Sequence, residues 1–99
     1  MPIKVVLRKE HGDELARAEF PYRPLDVTLD EVRFPLLNGI DPYSQTIFNA
    51  RQMRYLSKEI ERVRVEPSAA GEQASLEEIS EMCKQGRLGA HRFLWFRGD

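Results

Sequence analysis

The run "FNARQMRYLSKEIERVRV", Phe48–Val65, decides how the rest of the chain is read. Asn49 stands where a helix N-cap belongs, and Gln52, three residues on, completes a capping box. Phe48 and Met53 occupy the two positions of a hydrophobic staple. Three local rules therefore place one helix start at Ala50, and Pro67 closes the helix after about Val65. At 100° per residue Met53, Leu56, Ile60 and Val63 share one face. Arg51, Arg54, Lys58 and Arg62 gather on the opposite face, with Tyr55 at its margin. A helix with one apolar stripe needs a second layer to bury it against.

The flanking sequence supplies that layer. In "IKVVLRKE" Ile3, Val5 and Leu7 alternate with Lys4, Val6 and Arg8, the period of a strand. After the turn residues of "HGDE", Ala16, Ala18 and Phe20 alternate with Arg17 and Glu19, so the two runs read as a β-hairpin. Pro21 and Pro24 end its second strand. Thr28 and Glu31 fit a capping box for a single helical turn that Pro35 stops. The span from Arg23 to Ile47 reads as irregular, with a short strand near Thr46–Phe48. Asn38-Gly39 and Asp41-Pro42 are turn dipeptides within it. Downstream, Ser75 is expected to cap a second helix with Glu78 at N3. Leu76, Ile79, Met82 and Cys83 form its inner stripe, and Gly86 or Gly89 ends it. Phe93-Leu94-Trp95-Phe96 is apolar on both sides, as in a strand with neighbours at both edges and cover on both faces. The expected fold is a single α+β domain over residues 1–99. Its small single-layer sheet combines the N-terminal hairpin with the C-terminal strand, and two helices pack on one face.

Whole-chain totals bound the function. Ninety-nine residues with 41% hydrophobic and 31% charged content suit one ordinary globular domain. The formal net charge of -1 supplies no bulk attraction to nucleic acid or to an anionic membrane. A single cysteine, Cys83, excludes an intrachain disulfide and a cysteine-based metal cluster, and suits a reducing cytoplasm. The N-terminal apolar run is too short for a signal peptide, and no stretch reaches membrane-spanning length.

At "GIDPYSQTIFNARQ" the chain resembles a group of small uncharacterised bacterial proteins that share an Asp-Pro-Tyr-x-x-Thr-x-Phe-Asn signature and a C-terminal aromatic run ending in Gly-Asp. The matching residues are Asp41, Pro42, Tyr43, Thr46, Phe48 and Asn49, followed by "FLWFRGD". The resemblance implies a bacterial, cytoplasmic protein. It supplies no activity, cofactor or site.

No set of residues converges on a reaction. His11 and Asp13 lie in the hairpin turn without a third metal ligand. A Cys83–His91 nucleophile pair is conceivable, but Cys83 falls on an apolar helix face where a thiol is inert. Glu72, Glu77, Glu78 and Glu81 complement a helix dipole or form a solvated face. No catalytic residue, metal site or cofactor is expected. Asp41 and Tyr43 in the loop, with Arg51, Arg54, Lys58 and Arg62 on the helix, are the candidate binding residues. For the loop, the simpler reading is that Asp41 and Asn49 bond backbone N–H groups while Tyr43 packs. Four cations at helical spacing repel one another, although Glu59 and Glu61 interleave with them. The leading expectation is a non-enzymatic accessory or regulatory protein that binds another protein or itself. The alternative is a nucleic-acid-binding module using the basic face of the 50–65 helix, and an enzyme comes third.

Overall fold

The computed structural model describes residues 3–21, 30–89 and 91–98. Strands β1 (Ile3–Lys9), β2 (Glu14–Phe20), β3 (Gln45–Phe48) and β4 (Arg92–Arg97) form one antiparallel sheet in the order β2-β1-β4-β3. A single-turn helix α1 (Pro35–Asn38) precedes β3, and two long helices, α2 (Ala50–Arg64) and α3 (Gln73–Arg87), are joined by a 3-10 turn at Pro67–Ala69. This is the expected α+β architecture, and the short strand near Thr46–Phe48 takes an edge position beside β4.

Strand alternation sorts the two faces of the sheet. Ile3, Val5, Leu7, Phe20, Phe48, Leu94 and Phe96 point to the helix side, where they join Met53, Leu56, Ile60 and Val63 of α2 and Leu76, Ile79, Met82 and Cys83 of α3 in one core. Phe96 sits at its centre. Phe20 and Phe48 meet it edge-on from opposite sides, each with ring centroids 5.5 Å away, an orientation that sets a ring edge against the partner's π face. Each such side chain, fully buried, contributes about 1.5–3 kcal/mol by leaving water.

The capping box of α2 forms as expected. Asn49 Oδ1 accepts from the Gln52 N–H, and Gln52 Oε1 accepts from the Asn49 N–H, both at 2.9 Å. Three other expectations are corrected, and one left between two residues is decided. Pro35 starts a helix instead of stopping one, since proline at the first helical position gives up an N–H that would be unpaired anyway. α3 starts two residues before Ser75, after Glu72, whose side chain makes no cap bond. A tie to α2 explains this early start. Gln73 Nε2 donates to the Arg64 and Ala69 carbonyls, while Gln73 Oε1 accepts from Arg64 Nε. Of the two glycines expected to end α3, Gly89 stands just past the C-cap Leu88, while Gly86 lies within the helix and marks close approach: a Cβ there would fall 2.4 Å from Met53 Sδ on α2. Finally, β4 has neighbours at both edges but, among the described residues, helix cover on only one face. Leu94 and Phe96 are fully buried, whereas Phe93 and Trp95 are only partly so. Pro24 and the Thr28 cap lie outside the described residues, but Asp30 just beyond turns the chain, its Oδ1 accepting from the Val32 and Arg33 N–H groups.

Candidate functional site

Of the residues singled out in the loop, Asp41 carries the most contacts. Its Oδ1 accepts from the Tyr43 N–H at 2.8 Å and its Oδ2 from the Ser44 hydroxyl at 2.9 Å, while its own N–H donates to Thr46 Oγ1. The Tyr43 N–H and then the Ser44 hydroxyl hold the Asp41 carboxyl below its ordinary value. Asp41 is therefore engaged in shaping its own turn. Tyr43 does not pack: it is 80% exposed. The loop is fixed from outside by Gly98, whose N–H donates to the Ser44 carbonyl at 2.8 Å. A Cβ on Gly98 would lie 2.4 Å from the Pro42 carbonyl carbon and oxygen, so only glycine fits there without moving backbone.

The α2 stripe forms as the periodicity requires. Arg51, Arg54, Lys58 and Arg62 are all exposed, and Met53, Leu56, Ile60 and Val63 are fully buried opposite them. The two interleaved acids do not neutralise the stripe. Glu59 is turned inward and 2% exposed, and its carboxylate caps α1, accepting from the Leu36 N–H at 3.1 Å and the Leu37 N–H at 3.0 Å. Glu61 pairs with Arg64 at 3.0 Å. Among the described residues, none of the four stripe cations has an ion-pair partner.

Beside the stripe, α1 and α2 enclose a groove of about 630 Å³ lined by Pro35, Leu36, Tyr55, Lys58, Glu59 and Arg62. Tyr55 is half exposed, with Lys58 Nζ 5.7 Å from its ring centroid. At the far end the Arg33 and Arg62 guanidinium carbons sit 5.0 and 5.9 Å from the Phe34 ring centroid. Lys58 and Arg62 are the only two of the six candidate binding residues that line this groove. Sequence reading missed its apolar wall, because Pro35 and Leu36 sit in a stretch read as irregular.

The remaining candidates separate. Cys83 is fully buried in the core, and burial pushes its thiol up to about 12, far from a nucleophile's range. His91 lies on the surface in a left-handed backbone conformation, with Nδ1 3.0 Å from Glu10 Oε2. The pair does not assemble. No group of three or more metal-ligating side chains occurs among the described residues, and no described helix is long and apolar enough to cross a membrane. Glu77, Glu78 and Glu81 form an exposed acidic face on α3. Compared with protein families, curated proteins and solved structures, the chain shows no match.

Proposed function

We propose that this is a non-enzymatic accessory or regulatory protein that binds another protein through the outer side of α2. The observation that carries this reading is the unpaired basic stripe bordering an apolar groove. Four cations without ion-pair partners among the described residues repel one another mildly, and a partner's carboxylates would relieve that repulsion. The groove between Pro35, Leu36 and Tyr55 would take an apolar side chain from the same partner segment. An acidic segment with apolar anchors fits both features. A second copy of this chain could present the α3 acids to the stripe, so self-association belongs to the same reading.

The test is a double charge reversal, Arg54→Glu with Lys58→Glu. Both side chains are exposed, so the fold and its unfolding midpoint should change little. Capture of partners from native lysate should weaken, and association should slow and lose its salt dependence. Sedimentation of the parent and the reversed protein reads self-association directly. Unchanged capture and unchanged sedimentation would reduce the stripe to a solvated face. Nucleic acid recovered with the parent and lost with the reversal would put the alternative reading of this helix first.

A further inference from the structure

The opposite side of the sheet carries a second surface. Directly paired residues in a sheet project to the same face, so the register composes this one. One row across the four strands reads Arg17, Val6, Trp95, Ile47, and the next reads Glu19, Lys4, Arg97, Gln45. A third position pairs Arg8 with Phe93. Two aromatic rings thus stand two residues apart on the central strand β4, about 7 Å from each other, with Lys4, Arg8, Arg17 and Arg97 around them. The Arg8 guanidinium carbon lies 5.2 Å from the Trp95 ring centroid, so a planar group already rests against that ring. Acids on this face are fewer: Glu19, and Glu14, which is engaged with Arg17. The main core cluster lies on the other side, where both long helices pack, and on this face Val6 is buried among its neighbours at 7% exposure.

We propose that this outer sheet face binds single-stranded nucleic acid, with bases stacking on Phe93 and Trp95 and phosphates meeting Lys4, Arg8, Arg17 and Arg97. Stacking aromatics inside a ring of cations is the composition such a ligand requires, because every base offers a π face and every nucleotide a negative charge. Among the described residues no helix lies on this face to enter a duplex groove, which argues for unpaired strands. A second copy of the same face would set four cations against four cations. The α3 acids approach this face only at its β2 edge, where Glu78 shares a pocket with Lys4 and Arg17, so the phosphate path runs over the β4 side of the face, past Arg8 and Arg97. This surface is independent of the α2 groove, so neither proposal depends on the other.

Trp95 is the chain's one tryptophan, and its emission reports directly on the site. The full chain should be titrated with a mixed-sequence single strand of about 12 nucleotides, with the matching duplex, and with vesicles containing anionic lipid. Expected are quenching by the single strand and binding that weakens roughly 50-fold when salt rises fourfold, as four phosphate contacts would give. By anisotropy of a labelled strand, Phe93→Ala should weaken binding roughly fivefold or more. Lys4→Gln with Arg97→Gln, both exposed and so compatible with the fold, should weaken it about tenfold and halve the salt slope. Arg54→Glu with Lys58→Glu should leave it unchanged. The proposal is overturned by no quenching at roughly 100 µM strand in low salt. It is equally overturned if the duplex or the vesicles bind as tightly as the single strand, or if neutralising Lys4 and Arg97 has no effect.

Discussion

Glu59 is a single residue whose role is invisible in a helical wheel. Its position among cations suggests a surface neutraliser, yet its carboxylate is buried and holds the first turn of α1. Glu59→Ala would leave two backbone N–H groups without their acceptor in a partly buried place. We expect a loss of about 2–3 kcal/mol, seen as a fall in the thermal midpoint of roughly 10 °C or more. Glu59→Gln keeps one acceptor oxygen and should lose less. Cys83 gives a pH-dependent prediction. The buried thiol's value rises from an ordinary 9.0 to about 12. The unfolded chain therefore ionises it first, and above pH 9 the folded state binds the extra proton. Its contribution to stability is intact below about pH 9 and declines by about 1.4 kcal/mol per pH unit towards pH 12. Denaturant titrations at pH 8, 10 and 11 should show a steeper alkaline loss in the parent than in Cys83→Ala. The Asn49 cap was legible because its bonds close within four residues. The Glu59 cap was not, because its partners lie more than twenty residues away and nothing local marks them.

Among the elements, helix starts show where local rules hold and where tertiary ties override them. α2 begins where its capping box dictates, and Asn49→Ala should lower stability by about 1 kcal/mol in urea unfolding. α3 ignores Ser75 because Gln73 is already bonded to the end of α2 and to Ala69. The stripes of both helices were readable from period alone, since burial needs only an apolar face and not a particular neighbour. What covers each face was not readable. Apolar residues on both sides of β4 suggested two covered faces, but Phe93 and Trp95 look away from the helices. The candidate site was half legible for the same reason. Spacing placed four cations on one side of α2, but the groove beside them depends on how α1 docks. The loop between α1 and β3 rests on Gly98 from across the sheet edge. Gly98→Ala should push Pro42 away, break the bond to Ser44 and lower stability by about 1–3 kcal/mol. Amide exchange at residue 98 should speed up markedly in that variant, while exchange within α2 and α3 changes little.

At the scale of the molecule, the strand order β2-β1-β4-β3 sets the first and last strands side by side in the middle of the sheet. Such pairing between remote parts of the chain makes folding slow, because loop closure is opposed by entropy until the contacts form. Removing β4 would leave β1 and β3 without their shared neighbour. A version ending at Leu88 should lack cooperative unfolding and give a disordered far-UV circular dichroism spectrum. Helix propensity alone does not hold short helices in water. The same arrangement has a consequence for biosynthesis. A ribosome delivers the β1-β2 hairpin first, and a two-stranded hairpin is at best marginally stable alone. The faces built from Ile3, Val5, Leu7 and Phe20 must wait, uncovered, until α2, α3 and β4 have followed. Prematurely terminated products would then keep that apolar surface on display, available to chaperones and proteases, and only a chain that has reached β4 can hide it.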